Sequence, residues 1–117
     1  MSTRVFLSVV LAICMIAVHS STLLAGWTLD GGPVCLAGGV QNNPQIVPDG
    51  VGGVFIIWDD SRTLTDVYAQ RVDELGRPYW AENGIVVCSE YMWQARVKAV
   101  SDGAGGAIIT WDDARGG

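Results

Sequence analysis

Asp49-Gly50-Val51-Gly52-Gly53-Val54-Phe55-Ile56-Ile57-Trp58-Asp59-Asp60-Ser61-Arg62 returns further along the chain as Asp102-Gly103-Ala104-Gly105-Gly106-Ala107-Ile108-Ile109-Thr110-Trp111-Asp112-Asp113-Ala114-Arg115. The offset, Asp49 to Asp102, is 53 residues, and it needs no gap. Outward from this stretch the same offset carries Trp27, Gly31, Val34, Cys35 and Gln41 onto Trp80, Gly84, Val87, Cys88 and Gln94. Repeats of this period mark propellers, solenoids and arrays, in which one unit cannot bury a core alone. The repeat also sorts residues. A type present in every copy reads as structural, because an active site is built once.

Between the copies lies one whole unit, and it predicts four short strands. Gln45-Ile46-Val47 is apolar and confined by Pro44 and Pro48. Asp49 to Gly53 is a turn, since Asp-Gly and Gly-Gly supply the positive φ of tight hairpins. Val54 to Trp58 is apolar on both faces, as in a strand covered on two sides. Asp59 to Thr65 turns the chain, Asp66 to Asp73 is a half-buried third strand, Glu74 to Pro78 turns again, and Gly84 to Cys88 is the fourth strand. The pattern restarts at Gln94 and runs through Ala107 to Trp111. No helical periodicity follows the first residues. Four antiparallel strands in about 50 residues is the geometry of a β-propeller blade. The expected fold is therefore all-β, with antiparallel four-stranded blades amounting to about one and three-quarter units of a propeller. Residues 26–40 hold a lone fourth strand at Pro33 to Leu36, residues 41–93 a complete blade, and residues 94–117 the first half of the next. Propellers close with roughly 4–8 blades, so the chain is expected to be the N-terminal piece of a longer protein or to complete a ring by self-association.

Residues 1–25 read as a signal peptide. Arg4 precedes an apolar run from Val5 to Val18, and small residues follow. Cleavage is placed after Ala25, with Ser20 as the alternative. The run is shorter than the roughly 20 residues of a spanning helix, so membrane contact is expected only if the segment stays uncleaved. The chain is then secreted, periplasmic or at the cell surface. With 7 Lys and Arg against 12 Asp and Glu, the net charge is −5, which argues against nucleic acid as a partner. Of the 3 cysteines, Cys14 lies in the leader. Cys35 and Cys88 occupy one repeat position in two copies, and both sit beside valine. Sulfur bridging needs Cα atoms within about 7 Å, so two unpaired, buried thiols are expected in preference to a disulfide.

The string from Pro44 through Arg62, with Asp-Gly, Gly-Gly, an apolar strand and Trp-Asp-Asp-x-Arg, followed by Asp66-Val67-Tyr68-Ala69-Gln70-Arg71-Val72, resembles repeats of secreted bacterial β-propeller proteins. These are similar to blades of the sialidase-like (BNR/Asp-box) superfamily. Asp73 to Trp80 stands where that family has its Asp-box hairpin, but it carries one extra residue between Asp and Gly and another before Trp. The resemblance implies a propeller, and places Cys35 and Cys88 on outer strands of neighbouring blades. It says little about activity, because fold does not imply function.

Candidate chemistry is sparse. The one histidine, His19, falls in the leader, so no Ser-His, Cys-His or His-metal set is available after it. The glycines do not form a phosphate-binding loop, since no Gly-Lys-Ser/Thr follows. Asp59, Asp60 and Arg62, repeated as Asp112, Asp113 and Arg115, are the densest charges. Trp58, Asp60 and Arg62 share a strand face, so Arg62 is expected to pair with Asp60 or a neighbouring carboxylate and to lie on Trp58, while Asp59 bonds turn amides. No cofactor is expected. The sharper alternative is a calcium ion held by Asp59, Asp60 and Asp66. The sialidase resemblance would imply an arginine cluster, a Tyr nucleophile with a Glu partner and an Asp acid/base. Tyr68, Tyr79, Tyr91, Glu74, Glu82 and Glu90 lack that context, and no catalytic residue is assigned. Trp27, Trp58, Trp80 and Trp111 are repeat positions expected to fill between blades. Tyr91-Met92-Trp93 replaces Gly38-Gly39-Val40 and is the candidate contact surface. These features suggest a non-enzymatic interaction or cell-surface scaffold whose partner is a protein or carbohydrate. The alternatives are the start of a sialidase-like glycoside hydrolase, with its catalytic residues further along, and a self-associating, lectin-like propeller.

Overall fold

The computed structural model describes residues 27–116, so the signal peptide expected over residues 1–25 lies outside the described residues. The chain divides into two compact units, one ending at Gly31 and the other spanning Gly32–Gly117. In the described part of the first, the Gly31 amide donates to the Thr28 carbonyl at 2.9 Å and closes a turn.

The second unit is all-β among the described residues. Its strands are β1 (Gln41–Pro48), β2 (Val54–Asp60), β3 (Asp66–Val72), β4 (Ile85–Cys88), β5 (Gln94–Ser101) and β6 (Ala107–Asp113). The first four form one antiparallel sheet in chain order, and β5 and β6 form a separate two-stranded sheet. Neither sheet closes on itself. The 53-residue repeat is kept in detail, with β5 and β6 repeating β1 and β2. Both pairs shift register at one place, between Asn42 and Gln45 and between Ala95 and Lys98. Asn43 and Arg96 take the same left-handed φ there, 51° and 60°. This bulge explains why β1 extends past Pro44: proline lacks an N–H for the ladder and is tolerated where the ladder is already interrupted.

Aspartates start the tight hairpins. Asp49 accepts the amides of Val51 and Gly53 on one oxygen, each at 2.9 Å. Asp102 treats Ala104 and Gly106 the same way, at 2.7 and 2.9 Å. Asp73 accepts from Leu75 and Arg77, both at 2.9 Å, in the loop that follows β3. A carboxylate that accepts amides two and four residues on replaces the missing rungs of the turn.

The core sits where β5 lies on the first sheet. In β2 and β3 the cross-strand partners Ile57 and Ala69, and Asp59 and Val67, point to one face. Val47, Ile57, Val67 and Ala69 on that face are buried, and Val97 of β5 inserts among them with 0% exposure. Burying one such side chain stabilises by roughly 1.5–3 kcal/mol. Ala99, Ala107, Ile109 and Trp111 pack around this cluster, as do Phe55, Trp80 and Cys88.

Two expectations are corrected. Pro33 to Leu36 forms no strand. Its counterpart β4 pairs with β3, whereas Pro33 to Leu36 has no third strand of its own beside it and Pro33 has no N–H to give. Both thiols are free, as expected, but half-buried rather than buried. Of the tryptophans expected to pack, Trp58 is 3% exposed and Trp80 stacks on Phe55 with centroids 5.9 Å apart.

Candidate functional site

Trp58, Asp60 and Arg62 lie two residues apart at the end of β2, and the strand pleat sets the first two on one face. The Asp60 carboxylate is fully buried. Its Oδ2 accepts from Trp58 Nε1 at 2.7 Å and Arg62 Nη2 at 2.6 Å. Its Oδ1 accepts from the Arg62 amide at 2.9 Å and Nε at 3.0 Å. Arg62 Nη2 also donates to the Asn83 carbonyl at 2.9 Å and lies 3.3 Å from Cys35 Sγ. The guanidinium covers Tyr68, with Cζ 3.8 Å from the ring centroid, not Trp58 as expected. Cross-strand pairing explains the difference: Tyr68 is opposite Trp58, and the indole edge is turned to Asp60.

Burial alone would raise the Asp60 pKa. The Arg62 and Trp58 hydrogen bonds outweigh it and bring the carboxyl down to about 2. Arg62 is correspondingly pushed up by its bond to Asp60, against the opposing effect of burial. In the second copy, the Arg115 side chain holds Asp113 at about 2 as well. Arg115 donates to Asp113 from its amide and Nε, each at 2.9 Å, and from Nη2. A carboxylate with four nitrogen donors and so low a pKa is ionised at neutral pH, with no proton to give, and is a weak base. This repeated clasp holds a strand end; it does not present a reactive group.

Asp59 points to the opposite face and does something the local sequence does not reveal. Its Oδ2 accepts the Arg96 amide at 2.9 Å, and its Oδ1 accepts the Val97 amide at 3.1 Å. These are the two amides at the β5 bulge, not amides of the adjoining turn. Asn43 Nδ2 bridges the same joint, donating to the Val97 carbonyl at 3.0 Å and to Asp59 at 3.4 Å. The carboxylate thus locks the second sheet onto the first. Its repeat partner Asp112 meets, among the described residues, the exposed Arg96 guanidinium at 2.9 Å, and its side chain is 51% exposed.

The three aspartates considered for calcium are not gathered. Asp59 is engaged by the β5 amides and Asp60 by Arg62, while Asp66 accepts from Thr63 Oγ1 at 2.9 Å. Among the described residues no group of three His, Cys, Asp or Glu is placed to share an ion.

Tyr91, Met92 and Trp93 lie together before β5, 75%, 40% and 46% exposed. Their backbone repeats that of Gly38 to Val40: Met92 has φ 79° where Gly39 has 86°. The Ala114 amide bonds the Trp93 carbonyl at 3.1 Å as Ser61 bonds Val40 at 3.0 Å. The backbone is therefore structural, and the three side chains are additions to it.

Two features were missed in the sequence. Gln70, 1% exposed, ties the loop before β4 by donating to the Ala81 carbonyl at 2.9 Å and accepting the Trp80 amide at 3.0 Å. Its polar type within β3 was the available signal. The other is an apolar groove of about 370 Å³ on the face of β1 and β2 away from β5, bordered by Val34, Cys35, Pro44, Ile46, Ile56 and Trp58. Comparison of the chain with protein-family models, curated proteins and solved structures returned no match.

Proposed function

We propose that this chain is an exported β-propeller segment, built of blades like those of the sialidase-like class, that acts without catalysis as an interaction scaffold at the cell surface. The observation that carries this reading is the fate of the repeated charges. In both copies the Asp-x-Arg pair that ends the motif, Asp60 with Arg62 and Asp113 with Arg115, is consumed by intramolecular bonds at equivalent positions. The aromatic side chains that one copy has and the other lacks at these positions are those of the exposed Tyr91-Met92-Trp93 loop. Aromatic side chains of this kind supply contact area for a protein surface or a sugar ring.

The experiment is to express the tagged full chain in a bacterium with an intact export pathway and measure its accessibility to protease on whole cells. Accessible chain is expected; retention in the cytoplasm would sink the proposal. Trp93→Ala is expected to lower retention on isolated cell envelopes by about tenfold, the effect of an anchor worth roughly 1.4 kcal/mol. An unchanged urea midpoint should accompany it, since the Trp93 side chain is 46% exposed.

A further inference from the structure

The joint between the two sheets has two sides, and the molecule carries a second copy of each, exposed at several of its positions. On the seating side, Val47, Phe55, Ile57 and Asp59 face β5. Their counterparts at the 53-residue offset are Val100, Ile108, Thr110 and Asp112. Val100 is 60% exposed, Ile108 is 55% exposed and the Asp112 side chain is 51% exposed. On the seated side, the Arg96 and Val97 amides meet Asp59, and Ala99, Ile109 and Trp111 pack inward. Their counterparts are Asn43, Pro44, Ile46, Ile56 and Trp58, of which the last four border the groove; Ile46 is 67% exposed, while Trp58 is already buried and forms the groove wall.

We propose that copies of this chain join head to tail: β5 and β6 of one copy take β1 and β2 of the next, as the first sheet takes β5 and β6 within the chain. The inference rests on the scaffold reading above and names a partner for it. The occupant is a second copy because the same motif already fills the same seat inside the molecule. Asp112 accepts the Asn43 amide of the incoming copy. Arg96, which holds Asp112 as the Asn43 amide group holds Asp59, donates to the incoming Pro44 carbonyl in place of the Val97 carbonyl. Pro44 offers no N–H, so this joint has one amide bond fewer than the internal one. The two patches differ, so the contact is heterologous and propagates into a ring or a filament rather than stopping at a dimer.

Sedimentation velocity on the full purified chain tests this. The wild-type mass is expected to rise with concentration beyond a dimer, and Asp112→Asn to weaken association by about tenfold. Ile108→Lys damages only the seating side and Ile46→Lys only the seated side. Each alone is expected to be monomeric, and a mixture to form a heterodimer that grows no further, because each retains one sound patch. Circular dichroism checks that both variants keep their sheets. A folded wild-type monomer at every concentration, association that ignores all three substitutions, or a mixture that stays monomeric would overturn the proposal. A monomer that still binds cell envelopes would remove this inference alone, leaving the uncovered face to another partner. An assembling chain that binds no envelope would remove the scaffold reading instead.

Discussion

Asp60 shows how one buried charge is made tolerable. Four nitrogen donors surround it, and two come from a single guanidinium that covers Tyr68. Its pKa in the folded chain, about 2, lies below the ordinary 3.8. As pH falls, the unfolded chain therefore takes up this proton first. The stability contributed by the clasp is present above about pH 4 and is lost between about pH 4 and 2, amounting to roughly 2 kcal/mol. Amides hold Asp49 and Asp102 below their usual range, and Arg77 with its amide does so for Asp73 against burial. These carboxylates share the acid limb. Asp60→Asn is expected to destabilise by about 2–4 kcal/mol at pH 7, because Arg62 and the Trp58 indole lose a buried partner. It should also flatten, without abolishing, the slope of stability against pH below pH 4. Urea titrations of both proteins from pH 2 to 7 measure both effects. The Asp60–Arg62 pair was legible because its members are two residues apart. Tyr68 beneath the guanidinium was not, since that contact depends on the β2–β3 register.

At the scale of elements, the repeat located β2 and β6 closely because an apolar run and two turn signals bound them. β1 was underestimated. Pro44 reads as a strand breaker, and only the bulge repeated at Asn43 and Arg96 shows how the strand continues through it. The segment around Cys35 was overestimated for the complementary reason. Strand identity depends on a partner edge, and a sequence repeat carries the side chains without the partner. Even so, Cys35 keeps its place beside Arg62, so side-chain position survived where the hydrogen-bond ladder did not. The entry to β4 depends on Gly84, which has φ 84°. A Cβ there would lie 2.6 Å from the Trp58 ring and 2.7 Å from the Ala69 carbonyl. Gly84→Ala is expected to cost about 2 kcal/mol or more, from strain at positive φ together with the contact. The displaced indole should appear as a shifted Trp58 resonance. If the urea midpoint and that resonance were both unchanged, β4 would not be held against Trp58 in this way.

For the whole molecule, the decisive bond is one that no reading of adjacent residues finds. Asp59 is next to Asp60 and of the same type, yet it serves another sheet, through amides that follow it by 37 and 38 residues. Periodicity announced that units recur; it did not say which residue joins them. The joint combines two amide bonds to one carboxylate with the insertion of Val97 among Val47, Ile57, Val67 and Ala69. The two contributions are separable. Asp59→Asn keeps the volume but offers one acceptor oxygen, and it turns an NH2 donor toward an amide that is itself a donor. A loss of roughly 1–3 kcal/mol is expected, local to the joint. Amide exchange is the appropriate measurement because it resolves opening element by element. Exchange in β5 and β6 should quicken by about tenfold to a hundredfold, while β2 and β3, paired on both edges within the first sheet, keep their protection. Were β2 and β3 to lose protection in equal measure, the two sheets would unfold as one cooperative body. The chain would then not be a set of units joined by a removable aspartate clamp, and stacking of further units through Asp112 would lose its physical basis.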